Sequence, residues 1–244
     1  MALHFVDAAA GAAGPGDRIT LTGAEAHHAA AVRRVRVGEI VTLGDGRGAW
    51  LTGACASVSP REVVIEVTER TEVPAPAMRV GLVQALAKGD RDELAVQAAT
   101  ELGVDEVMPW QATRSVSRWD AGKAEKGRAR WGTIAREAAK QAHRAWLPEV
   151  TELVTTRQLA SRAATARMLV LEPTASVALT AWRPAADDAE VLLVVGPEGG
   201  IAPEELRVLA DAGATLVRLG DTVLRTSTAG PAALALVNAT IGRW

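Results

Sequence analysis

The stretch Val195-Gly-Pro-Glu-Gly-Gly-Ile201 decides how this chain is read. It follows the apolar run Val191-Leu-Leu-Val-Val195 and precedes Pro203-Glu-Glu-Leu206. That tetrapeptide opens a helix, with proline near the first position and acids in the first turn. Buried strand, glycine-rich turn and helix together are the unit of an α/β domain with a mostly parallel sheet. Glycines in such a turn let a ligand come close to the backbone and leave amides pointing at it. The turn matches neither G-x-G-x-x-G nor the Gly-Lys-Ser/Thr of a P-loop, which argues against a phosphate cradle.

A second stretch, Leu219-Gly-Asp-Thr-Val-Leu-Arg-Thr-Ser-Thr-Ala229, repeats the arrangement. It places Arg225, Thr226, Ser227 and Thr228 between apolar segments, at the carboxyl end of a strand predicted over 215–219. An α/β sheet binds its ligand at that end. A helix start capped by Thr228 or Gly230 accounts for a hydroxyl but not for Arg225.

Working outward, Met78 to Leu86, Asp105 to Trp110 and Met168-Leu-Val-Leu171 read as further buried strands. Asp90-Arg-Asp-Glu93 has capping-box spacing, Leu94, Ala98 and Leu102 share a helical face, and Gly103 is placed to end that helix. A long helix is predicted over 122–146 and a final apolar one over 231–241. Before residue 70 the rhythm differs. Short β-branched runs at 18–22, 40–43, 49–58 and 63–67 are separated by turn residues, Asp45-Gly46 among them, and interrupted by one helix over 24–34. Many short strands suggest a small barrel. Thr71-Glu-Val-Pro-Ala-Pro-Ala77 reads as an extended linker, giving domains over 1–73 and 74–244.

The chain has 244 residues, 48% hydrophobic and 23% charged, enough apolar material for a substantial core and unlike a disordered chain. One cysteine, Cys55, excludes an intrachain disulfide framework and a cysteine-based zinc site. The histidines show no H-E-x-x-H spacing and no G-x-S-x-G occurs, so neither a catalytic metal nor a hydrolase elbow is expected. No run is long enough to span a membrane and the first residues do not read as a signal peptide, so a cytoplasmic protein is expected. The net charge is −2, so any nucleic-acid role rests on local patches. One such patch runs from Arg114 to Arg144, where Lys and Arg outnumber Asp and Glu by roughly six. Trp119, Trp131 and Trp146 interleave with it; core packing is the ordinary use of such residues. Arg33, Arg34 and Arg36 form a second patch.

These residues in this order resemble the RsmE-type ribosomal RNA uridine N3-methyltransferases of the SPOUT superfamily, over nearly the whole chain. The first domain carries His28-x-x-x-Val32-Arg-Arg34-x-x-x-Gly38 and Leu43-Gly-Asp-Gly46. The second carries Thr100-Glu-Leu-Gly-Val104, Pro109, Arg114-Ser115, Glu137-Ala138, Gln141, Arg144 and Pro148-Glu-Val150. It ends with Gly196-Pro-Glu-Gly-Gly200, Leu219-Gly220, Leu224-Arg-Thr226 and Thr228-Ala229. Ser227 stands where the family usually has Glu.

The resemblance implies a PUA-like β-barrel that binds RNA, then a SPOUT α/β domain with a C-terminal trefoil knot, in a homodimer without metal. It implies S-adenosyl-L-methionine (SAM) held by Leu171, Gly196, Glu198, Gly199, Gly200, Ile201, Leu219, Gly220, Leu224, Thr226, Thr228 and Ala229. The substrate is 16S ribosomal RNA in the small subunit, gripped through Arg33, Arg34, Arg36, Arg114, Gln141 and Arg144. SAM has no phosphate, which suits a turn of small residues without a lysine. Neutral uridine N3 is a poor nucleophile, so a cation beside the carbonyl oxygens is needed and Arg225 is the candidate. Glu198 is the candidate proton acceptor. A non-catalytic RNA-binding assembly factor and a methyltransferase acting on transfer RNA are the alternatives.

Overall fold

A computed structural model describes residues 2–244 and divides them into two units. The first comprises residues 2–75 together with 139–147, the second 76–138 and 148–244. The sequence boundary at 73/74 thus falls close to the first division. The return of 139–147 to the N-terminal unit was not legible in the sequence.

The N-terminal unit is a curled five-stranded sheet. Its strands are β1 (Leu3–Val6), β2 (Arg18–Thr22), β3 (Ile40–Gly44), β4 (Ala49–Val58) and β5 (Glu62–Glu72), in the order β1-β3-β4-β5-β2. β1 runs parallel to β3 and the other pairs are antiparallel. The Asp45-Gly46 turn joins β3 to β4 as expected, with Gly46 at φ +75 and Gly48 at φ +110, conformations that favour glycine. Phe5, Leu21, Leu43, Leu51 and Ile65 fill the core. The helix expected over 24–34 is shorter and of two kinds: α1 (Gly23–His27) passes into a turn of π-helix (His28–Val32).

The second unit is a seven-stranded sheet. Its strands are β6 (Arg79–Ala85), β7 (Glu106–Trp110), β8 (Glu149–Val150), β9 (Arg167–Leu171), β10 (Val177–Ala178), β11 (Glu190–Val195) and β12 (Thr215–Arg218). The order is β10-β12-β9-β11-β6-β7-β8, and every pairing is parallel. Side chains alternate across it. Val191, Leu193 and Val195 of β11 enter one core and Leu192 and Val194 the other, so both faces are buried and the strands read as unbroken apolar runs.

The helices of this unit are α2 (Arg91–Glu101), α3 (Ala121–Gln141), α4 (Thr156–Arg162), α5 (Pro203–Asp211) and α6 (Thr226–Thr240). Three expectations change. The α2 cap Asp90 makes no side-chain cap bond; Asp92 instead accepts from the Ala87 and Glu93 amides. The buried face of α2 is Asp92, Ala95, Val96, Ala99 and Thr100, while Leu94 is exposed, because small residues let α2 pack closely on α6. α3 stops at Gln141 rather than 146, and His143 then adopts φ +53, which a helix cannot continue through.

Candidate functional site

The carboxyl ends of β9, β11 and β12 enclose a cavity of about 330 Å³. Both glycine-bearing turns line it, together with Leu171, Glu172 and Pro173 after β9 and Arg91 at the start of α2. A parallel sheet opens in this way where strand ends diverge into loops.

The turns are joined from beneath. α6 begins at Thr226, five residues before the sequence suggested, and Arg225 rather than Thr228 or Gly230 is its N-cap. The buried Thr226 hydroxyl donates to the Gly196 carbonyl at 2.9 Å and accepts from Gln84 Nε2 at 2.9 Å. Gln84 is fully buried on β6 and also donates to the Ala85 carbonyl at 3.1 Å. One side chain of the second turn therefore fixes the backbone of the first. Gly196 is itself packed tightly: a Cβ there would lie 2.6 Å from Ile201 Cγ1. Gly200 sits at φ +71, the left-handed region that glycine enters without strain.

Glu198 is tied down. Its Oε1 accepts from the Lys88 amide and from the Arg91 guanidinium, each at 3.0 Å. Desolvation is the largest single influence on its pKa and raises it. Bonds from its own amide, from Lys88 and from Arg91 outweigh that, and the net shift is downward. A carboxylate so held is a weaker base than usual, and the arrangement makes it an anchor for the turn. Glu172 holds its own loop similarly, accepting from Thr174 Oγ1 at 2.8 Å.

Of the twelve residues expected to hold the cofactor, Leu171, Gly196, Glu198, Gly200, Ile201, Leu219, Gly220, Leu224, Thr226 and Ala229 line the cavity. Gly199 and Thr228 do not. Gly199 faces Arg114, whose guanidinium donates to its carbonyl at 3.1 Å, and a Cβ on Gly199 would lie 3.4 Å from Arg114 Cβ. Thr228 is exposed in the first turn of α6. Arg225 lines the cavity and is exposed, and its guanidinium makes no hydrogen bond or ion pair with a described residue. Sequence reasoning missed Arg91, Glu172, Pro173 and Val217, and within the quoted stretches it did not assign Val195, Pro197, Thr222 and Val223 to the site. Arg91 carried a signal only as the second residue of Asp90-Arg-Asp-Glu93, where it was read as helix capping.

The basic patches fare differently. Arg33, Arg34 and Arg36 are exposed, and their guanidinium groups have no carboxylate partner among the described residues, although the Arg36 amide donates to Glu39 Oε2 at 3.0 Å. Much of the patch from Arg114 to Arg144 is spent internally. Arg130 pairs with Glu93, Lys123 with Asp120 at 3.3 Å and Lys140 with Glu25 at 2.8 Å, and Arg128 donates to the Val150 carbonyl at 2.9 Å. Gln141 and Arg144 belong with the N-terminal unit, and Arg114 with the second. Trp131 is 1% exposed in the core and Trp119 packs edge-on against it, so these rings serve packing. Among the described residues there is no cluster of ligands for a metal and no helix long and apolar enough to cross a membrane.

Comparison with known proteins places both units. The RNA methyltransferase domain family matches residues 74–238 and the RNA methyltransferase PUA domain matches residues 21–68. The chain is 44% identical to ribosomal RNA small subunit methyltransferase E of Mycobacterium bovis over 91% of this chain and 86% of that protein. It is 34% identical to the protein of the same name in Bacillus subtilis, over 90% and 89%. Among solved structures it resembles that methyltransferase from Neisseria gonorrhoeae bound to SAM, at 27% identity and a TM-score of 0.85 over 97% of this chain and 96% of that one. A Legionella pneumophila methyltransferase with SAM bound aligns at 29% identity, with the same TM-score and coverage.

Proposed function

The chain belongs to the RsmE family of small-subunit ribosomal RNA methyltransferases and is a SAM-dependent enzyme of that class; we propose that it methylates N3 of one uridine in 16S ribosomal RNA. The observation that carries this reading is Arg225, a guanidinium without a protein partner on the rim of the cavity formed by the two glycine-bearing turns.

The lining chemistry fits SAM. Val195, Ile201, Val217 and Leu219 give apolar walls, the carboxylates of Glu172 and Glu198 suit a cationic ligand, Arg91 suits a carboxylate, and no lysine is present. When bound, SAM supplies an electrophilic methyl group on a sulfonium. The ten lining residues expected from sequence would hold it. Uridine must lose its N3 proton to become a nucleophile. Arg225 stabilises the resulting charge on the flanking carbonyl oxygens, which lowers the cost of that loss. Glu198, held by the Lys88 amide and the Arg91 guanidinium with its pKa lowered, is a poor base and keeps the Gly196–Gly200 turn and Arg91 in register, and the N3 proton passes to solvent water.

Arg33, Arg34 and Arg36 supply phosphate contacts from the PUA-like unit, to which Gln141 and Arg144 also belong; Arg114 contacts RNA from the second unit, and the enzyme is a homodimer. The trefoil threading of the C-terminal segment belongs to the same reading. The pH–rate profile of methyl transfer tests it. Arg225→Ala should cut turnover by about 10²-fold near neutral pH, recover part of it at high pH where uridine ionises unaided, and leave SAM affinity near wild type. A variant with wild-type turnover would remove Arg225 from the chemistry.

A further inference from the structure

Phe5, His28, Arg33, Gln141 and His143 line a second cavity, of about 250 Å³, inside the N-terminal unit. His4 and Lys140 complete its polar wall. Four observations converge on it.

First, its polar lining is made of imidazole, guanidinium, ammonium and amide groups, with no carboxylate. The Lys140 ammonium is engaged by Glu25, but the Arg33 guanidinium and the His28 and His143 rings make no hydrogen bond with a described residue. Second, the only non-glycine residues at positive φ among the described residues are Arg34, at +56, and His143, at +53. One follows the lining residue Arg33 and the other lines the cavity itself. Arginine rarely enters that conformation and histidine does so more readily but still uncommonly, and such backbone clusters where a side chain must be aimed. Third, His28 begins the π-turn, whose wider winding carries Arg33 to the cavity through a bond from the Arg33 amide to the His28 carbonyl at 2.8 Å. Single π-turns of this kind favour functional positions. Fourth, His4 at the wall is only 6% exposed, bonded to Thr42 at 3.0 Å and stacked on Trp50 at 4.3 Å. Burial first, then His143 and Lys140 beside it, hold its pKa down to about 4, so near neutral pH His4 is an uncharged ring packed into the wall.

We infer that this cavity is an anion subsite that takes one phosphate group of the RNA strand, held by Arg33, His28, His143 and Gln141. The inference rests on the reading of the chain as an RNA methyltransferase, and sharpens its expected grip from a diffuse basic patch to a built pocket. Guanidinium, ring N–H and amide donors around a cavity without carboxylates are the chemistry that phosphate oxygens select.

The test uses the full-length protein and two probes, inorganic phosphate and an oligouridylate decamer. Ring signals of His28 and His143 are followed by proton–nitrogen NMR, and decamer affinity is measured against salt. Both probes should shift both rings. Arg33→Gln should weaken decamer binding about tenfold and reduce the salt slope by roughly 0.7, the share of one single-strand phosphate. His143→Asn, which keeps a residue tolerant of positive φ while removing the ring, should fold normally and weaken decamer binding several-fold. Ring shifts with phosphate but not with the decamer would overturn RNA as the occupant; no shift with either would overturn the subsite. Calorimetry with SAM on the same preparations separates the readings. Loss of SAM binding in wild type would sink the methyltransferase reading whatever the rings do, and wild-type SAM affinity in Arg33→Gln confines its defect to RNA.

Discussion

The Thr226 hydroxyl donates to the Gly196 carbonyl at 2.9 Å, so the two turns that form the cavity are one hydrogen-bonded unit. Thr226→Val keeps the side-chain shape and removes both that bond and the acceptor for Gln84 Nε2. Leaving buried polar groups unpaired should cost about 1–3 kcal/mol of stability. SAM affinity should fall with it, and Thr226→Ser should restore most of both. Denaturant unfolding together with calorimetry checks this; a Val variant with full affinity would show the turns to be held independently.

Glu198→Gln separates an anchor from a base. The amide still accepts from Lys88 but loses the charge pair with Arg91. Turnover should drop less than about tenfold, well short of the 10²–10⁴ that general acid–base catalysis contributes, with the shape of the pH–rate profile unchanged. Disappearance of the acid limb would return the proton to Glu198.

Two of the three glycines of the first turn, Gly196 and Gly199, should respond differently. A Cβ at Gly196 lies 2.6 Å from Ile201 Cγ1, so Gly196→Ala must displace a cavity wall and should weaken SAM binding at least about tenfold. At Gly199 the Cβ meets Arg114 at 3.4 Å, away from the cavity, and Gly199→Ala should leave the affinity close to wild type. Isothermal titrations of the two variants decide; equal losses would mean that the turn moves as a whole.

Stability should fall in mild acid through His4. Burial, then His143 and Lys140, lower its pKa to about 4 in the folded chain, against an ordinary value near 6.5. The unfolded chain therefore takes up a proton that the folded chain refuses. The contribution is complete above pH 6.5 and is lost as pH falls through 4, about 3 kcal/mol in all. His4→Phe keeps a ring against Trp50 and cannot titrate, so it should flatten unfolding free energy between pH 7 and 4.5. An undiminished slope in that variant would place the acid sensitivity at another group.

Strands β6, β7, β9 and β11 were legible because burial on both faces makes them continuous apolar runs, and β12 was legible beside them, but β8 and β10, two residues each, were too short to give any pattern; the glycine-rich exits of β11 and β12 marked the cavity. What the sequence hid is tertiary. Leu94 looked like a core residue by helical spacing, yet Ala95, Val96 and Ala99 face inward because close packing on α6 selects small side chains. The true start of α6 was masked because Thr226 is fixed by bonds to Gln84 and Gly196, far away in the chain. Arg91 enters the cavity through its pair with Glu198, a relation that local pattern cannot show. β1 escaped notice because four residues containing a histidine give no periodicity, and its parallel pairing with β3 supplies the partner.

The central claim is methyl transfer from SAM to uridine N3 in small-subunit RNA, and the product nucleoside tests it most directly. Small subunits from a strain lacking the gene are incubated with the protein and methyl-labelled SAM, and the RNA is digested and its nucleosides identified by mass spectrometry. Label should appear in 3-methyluridine at one position, at a rate that Arg225→Ala cuts about 10²-fold at neutral pH. Label on ribose, on C5 of the base or in no nucleoside would contradict the claim.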